Sequence, residues 1–159
     1  MVTFIKMLQR MELEVNTEKT SMVNVEEEPF DFLGFTFRYD KDLFGEDKKY
    51  LNIIPGKKSG VSLRSRIREQ LRNNRHKNPA EISRMLNRTI IGWINYYDIP
   101  KVSYPQVEKG KIRFYLSEAL YRYYRRKSQR RCKLYRQRAF EVLIKRYGLI
   151  DPSKYTLAN

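Results

Sequence analysis

The sequence predicts an α+β protein, with a small β-hairpin unit over residues 1–55 followed by a mainly helical bundle over residues 56–159. Three observations predict it. Apolar and polar residues alternate at period two in FDFLGFTFRY, and YLNII follows before Pro55; that alternation marks a half-buried strand. Beyond Pro55 the apolar residues recur at spacings of three and four, the period of an amphipathic helix. The charge divides at the same place: residues 1–55 carry 7 Lys/Arg against 11 Asp/Glu, and residues 56–159 carry 26 against 7, so the two parts are −4 and +19.

Taken in chain order, Phe4, Ile5, Leu8 and Met11 predict a short opening helix. Phe30 and Phe32 share one strand face, as do Phe35, Phe37 and Tyr39, but the parity slips at Leu33-Gly34. A glycine at such a slip predicts a β-bulge or a sharp bend, because the chain there needs a backbone conformation that a Cβ resists. The polar stretch DKDLFGEDKK leads to YLNII as the return strand of a hairpin ending at Pro55, and Gly-Lys-Lys-Ser-Gly then reads as a linker. Ser62 is placed to cap a helix through Asn74, with Ile67 and Leu71 on one side and Arg64, Arg68, Arg72 and Arg75 on the other. Asn78-Pro79-Ala80-Glu81 starts the next helix, which carries Ile82, Leu86, Ile90, Trp93 and Tyr97 and stops at Asp98-Ile99-Pro100. After a loop with Pro105 and Gly110, Ile112, Leu116, Ala119, Leu120 and Tyr123 open a helical stretch. It continues, whole or broken, through Phe140, Leu143 and Ile144 to Gly148.

A length of 159 residues suits one domain or two small packed units, and 41% apolar residues suffice for a modest core. The net charge of +15 and a pI near 10.0 point to a polyanionic partner, with nucleic acid foremost. Twelve tyrosines and eight phenylalanines can fill a core or, beside arginines, offer faces for unpaired bases. The single cysteine, Cys132, excludes an internal disulfide and suggests a reducing compartment. No apolar run approaches the roughly 20 residues that span a bilayer, and the first residues do not read as a signal peptide, so no membrane partner and no secretion are expected.

The most charged segment is RYYRRKSQRRCKLYRQR, residues 122–138, with 9 basic side chains, three tyrosines and no acid. Such a run repels itself unless phosphates supply the counter-charge and release their condensed ions. His76 has no recognisable nucleophile beside it and is not a catalytic candidate. Asp40 and Asp42, two apart in a strand, could face one side as metal ligands, and Glu26, Glu27 and Glu28 form a run; neither grouping has the setting of a two-metal site. No P-loop, glycine-rich nucleotide fingerprint or His/Cys metal spacing is present.

Asn16-Thr17-Glu18-Lys19-Thr20 followed by Phe30-Asp31-Phe32-Leu33-Gly34-Phe35 resembles the last two palm blocks of group II intron reverse transcriptases. Leu86-Asn87 with Gly92-Trp93-Ile94-Asn95-Tyr96-Tyr97 resembles the maturase-specific segment that follows them, in the same order and spacing. The resemblance implies that residues 1–55 are the C-terminal remnant of a palm and residues 56–159 a helical thumb/maturase unit that binds RNA. Lys19 matches the palm lysine, and Phe32, Leu33 and Gly34 match the hairpin that supports the primer terminus. Trp93 and Tyr97 are expected in the core, with Asn95 and Tyr96 facing outward. The metal-binding aspartates of the family match nothing in this chain, so no catalytic residue and no metal ligand are expected, and Mg2+ is expected only for a full-length polymerase. A zinc-bearing endonuclease domain, which the family can carry, is likewise not expected in this chain.

The expected RNA-binding residues are Arg64, Arg68, Arg72 and Arg75 on the first helix of the basic part and Asn95 and Tyr96 on the second. To these the basic run adds Arg122, Arg125, Arg126 and Lys127, then Arg130, Arg131, Lys133 and Arg136. The expected partner is group II intron RNA, whose splicing the chain would assist. The alternative is an enzyme part, a thumb and primer grip of an RNA-directed DNA polymerase that needs the missing fingers and palm and meets a DNA primer or target within a ribonucleoprotein. An aromatic sheet face would then invite self-association or a complementary palm fragment. Localisation is expected to be cytoplasmic in a bacterium, or organellar.

Overall fold

The computed structural model describes residues 23–41, 49–127 and 138–156, with positions 10 and 134 besides. The expected opening helix, Lys19, Asp42 and Cys132 lie outside the described residues, as do Arg130, Arg131, Lys133 and Arg136.

The parity slip in the first unit is a sharp turn. Phe30–Phe32 forms β1 and Phe35–Lys41 forms β2, paired antiparallel with Phe30 opposite Phe37 and Phe32 opposite Phe35. Leu33 and Gly34 connect them with φ of +48° and +81°; positive φ at both central residues is what a two-residue turn of matching twist requires. Opposed residues share a face, so Phe30, Phe32, Phe35, Phe37 and Tyr39 all lie on one side of the sheet. Phe30 and Phe37 stack, their centroids 4.9 Å apart and their planes within 3°. Lys49–Pro55 is β3, paired antiparallel to β2 with Phe35 opposite Pro55, so the sheet order is β1-β2-β3.

Four helices follow: α1 at Lys57–Asn73, α2 at Pro79–Tyr97, α3 at Gln106–Lys127 and α4 at Ala139–Tyr147. The segment expected to be a linker is the first turn of α1, capped by Gly56 rather than Ser62. Gly56 already belongs to the sheet end, where its N–H donates to the Gly34 carbonyl at 2.7 Å. Gly60 weakens helix propensity by about 1 kcal/mol, but tertiary packing overrides it. Its Cα faces the Glu108 carboxylate at the start of α3, where a Cβ would lie 2.9 Å from Glu108 Oε2 and the flexible glutamate would have to shift. Gly110, expected in the loop, sits inside α3. The expected helical stretch through Gly148 includes α3 and α4, and α4 ends at a left-handed Gly148 with φ +65°.

All four helices contribute to one core. Leu63, Ile67 and Leu71 of α1 meet Ile82, Leu86, Ile90 and Ile94 of α2, Ile112, Leu116 and Leu120 of α3, and Phe140 and Leu143 of α4. Fully burying such a side chain stabilises by roughly 1.5–3 kcal/mol, so this cluster is the main reason the helices associate. The sheet is fastened to the C-terminal end of α2: Phe35 packs 5.0 Å from Tyr97 and 5.7 Å from Tyr96, and Tyr104 N–H extends the contact by donating to Ile53 O at 2.9 Å.

Candidate nucleic-acid interface

The helical period of α1 makes its buried stripe and its arginine row inseparable consequences of one pattern. With Leu63, Ile67 and Leu71 facing inward, Arg64, Arg68, Arg72 and Arg75 are carried onto the flank that faces α3. Across from them α3 presents Lys111, Arg122, Arg126 and Lys127, and the two helices enclose a groove of about 870 Å3. Among the described residues eight cations line it against one acid, Glu118, which already sits 3.4 Å from Arg122, while Lys111 pairs with Glu108 just outside the groove. Repulsion among so many guanidinium groups is tolerable while they remain hydrated and grows as they converge, so the groove favours an anionic occupant.

Hydroxyls at the groove floor hold its walls together. Tyr115 Oη donates to Arg64 O at 3.0 Å and Tyr123 Oη donates to Asn74 O at 3.1 Å, each tying α3 to the backbone of α1 or its end. Lys127 donates to Lys77 O and lies 5.5 Å over the Tyr123 ring, so part of its hydrogen-bonding capacity is used internally. Phe114 also lines the groove and is 71% exposed.

Seven of the expected RNA-binding residues therefore meet in one place: Arg64, Arg68, Arg72 and Arg75 with Arg122, Arg126 and Lys127. Arg125 is exposed on α3 but does not line this groove. Asn95 is exposed at the far end of α2. Tyr96 faces outward as expected, yet its hydroxyl donates to Leu33 O at 2.8 Å, so it fastens the β1–β2 turn to the bundle. It lines a second groove, also about 870 Å3, between α1 and α2, where Arg66, Arg84 and Arg88 gather. Those three arginines, Lys111 and Phe114 escaped the sequence reading. Arg84 and Arg88 were legible as an i, i+4 pair off the buried stripe of α2, but Arg66 and Phe114 acquire meaning only when a second helix lies beside them.

The residues that resembled a primer grip form an exposed tip: Phe32 is 57% and Leu33 68% exposed. Gly34 is required on two counts, its φ of +81° and the Tyr97 hydroxyl, which stands 2.6 Å from where a Cβ would be. Trp93 is buried and Tyr97 half-buried, their rings 4.8 Å apart, as their helical spacing predicts. Asn87 is a clamp: its amide donates to Gly148 O at 2.8 Å and its carbonyl accepts from Ile150 N–H at 2.9 Å, binding the segment after α4 to α2. Asp40, weighed as a metal ligand, is held by Arg38 and Asn52, both at 2.7 Å.

Beneath the grooves, Lys109 is wholly buried and satisfied by Asp98 and by Tyr155 O, joining the end of α2, the start of α3 and the C-terminal segment. Asp151 does similar work for α3. Its burial raises the carboxyl pKa, but hydrogen bonds from Ser153 and from Arg113, together with the Arg113 charge, outweigh that and hold it below 3.8.

The family model described as group II intron, maturase-specific domain, matches residues 61–140 of this chain. No curated protein matches the chain. The matched segment contains α2 and α3 whole, most of α1, the whole α1–α3 groove and all of the α1–α2 groove except Ser59.

Proposed function

Because this chain belongs to the group II intron maturase-specific domain family, we propose that it binds folded group II intron RNA through the α1–α3 groove and so stabilises a splicing-competent fold. The observation that carries this reading is the convergence of eight cations on one groove, inside the segment that the family model matches. Arginines spaced by four stand about 6 Å apart along a helix axis, and two facing rows can hold successive phosphates of one strand. Each phosphate neutralised releases condensed ions and adds about 0.7–0.9 to the salt slope. In this reading splicing chemistry belongs to the RNA, and the chain itself takes no cofactor.

The test is the affinity of the chain for a folded group II intron RNA against an equally long unrelated structured RNA, across a salt series. A preference that persists at moderate salt supports specific recognition. Equal affinities that collapse together as salt rises would reduce the groove to a general polyanion clamp.

A second reading is favoured by the sheet. Its aromatic face is covered at Phe35 by α2, but Phe32, Tyr39 and Leu51 on the same side are 57%, 36% and 41% exposed. An exposed apolar face, with β1 at the sheet edge among the described residues, suits packing against a further palm element or a second copy of the chain. In that case the unit serves as thumb and primer grip of an RNA-directed DNA polymerase, meeting a DNA primer or target only in the assembled ribonucleoprotein.

A further inference from the structure

A single exposed phenylalanine on a protein surface is ordinary; Phe114 gains significance from its neighbours. Ile112 and Leu116 on either side of it are fully buried. Two residues correspond to roughly 200° around a helix, so α3 cannot turn Phe114 inward without turning its core stripe out. The ring is thus held in the open, 71% exposed, in a groove whose other residues are mostly arginine and lysine. Of the three aromatic residues lining that groove, Tyr115 and Tyr123 are largely covered, and their hydroxyls bind backbone carbonyls of Arg64 and Asn74. Among the described residues of the groove Phe114 is the aromatic that presents a free face, and it has no polar atom to satisfy.

We infer that the α1–α3 groove takes an RNA strand bearing an unpaired nucleotide, whose base stacks on Phe114 while arginines of α1 and α3 hold the flanking phosphates. This rests on the RNA-binding reading above and adds the class of RNA. A continuous duplex keeps its bases inside and offers the groove only phosphate and sugar, against which a phenylalanine ring gains little. An unpaired base offers a π face of the right size, and stacking of that kind does not depend on which base it is. The cations then supply affinity and Phe114 supplies discrimination between unpaired and paired RNA.

Two RNA hairpins, identical except for one bulged nucleotide in the stem, test this with the full chain. The bulged hairpin is expected to bind roughly tenfold tighter or more. Phe114→Ala should abolish that difference by weakening the bulged hairpin far more than the paired one, and Phe114→Trp should restore it. Because the ring is outside the core, neither variant disturbs the fold. Equal binding of both hairpins by the wild type, or a preference that survives Phe114→Ala, overturns the inference and leaves the RNA-binding reading standing. The reading itself is probed by the double variant Arg68→Ala, Arg72→Ala. If that variant binds both hairpins as the wild type does, the groove is not the RNA site and the inference falls with it.

Discussion

Gly34 shows how one position can be constrained twice. Its backbone is left-handed and the Tyr97 hydroxyl occupies the space of any Cβ. Gly34→Ala is expected to destabilise the chain by about 1–2 kcal/mol from the backbone alone, and more if Tyr97 must move; the midpoint of urea unfolding measures it. Asp151 gives the pH dependence. Since its carboxyl is held below 3.8 when folded, its contribution is complete above that value and disappears as pH falls through the lower, folded pKa. Thermal unfolding should therefore show the wild type losing its advantage over Asp151→Asn below about pH 4. The turn at Leu33-Gly34 was legible as a bulge or bend, but the choice between them depended on strand pairing that single-strand alternation does not encode.

At the scale of the element, the start of α2 was the most legible feature. Asn78 Oδ1 accepts from Glu81 N–H at 3.0 Å, and Glu81 returns a bond to Asn78 N–H at 2.9 Å, with Pro79 at the first position. Asn78→Ala is expected to cost about 1 kcal/mol, read from the unfolding midpoint. The start of α1 was not legible. Lys57-Lys58-Ser59-Gly60 has the composition of a linker, and it becomes helix where Gly56 is anchored to the sheet and Gly60 is buried against the Glu108 side chain of α3. Local propensity lost there to contacts from residues 22 and 48 positions away in the chain.

For the whole molecule, the sheet and the bundle are joined by a few specific contacts: the Tyr96 hydroxyl on Leu33, the Phe35 ring against Tyr97, and Tyr104 on β3. The remaining aromatic face of the sheet leads to an association test. Sedimentation at high concentration should reveal species heavier than the monomer, and Phe32→Ser with Leu51→Ser, both exposed on that face, should return the chain to monomer. A monodisperse wild type under the same conditions would count against the palm-face reading.

The sequence by itself determined that a strand unit precedes a basic helical unit and which residues enter the core, and its charge points to a polyanionic partner. Hydrophobic period and net charge are properties of the chain that folding does not alter. Only the tertiary structure decided which cations act together. Arg64 and Arg126 are far apart in sequence and share a groove because α3 packs along α1, whereas Arg125, next to Arg126, points elsewhere. Tyr96, outward by period, is drawn to the sheet by its hydrogen bond to Leu33 O and its stacking on Phe35. A site made by the facing surfaces of two helices depends on how those helices pack, and packing is set by the whole core rather than by any local run of residues.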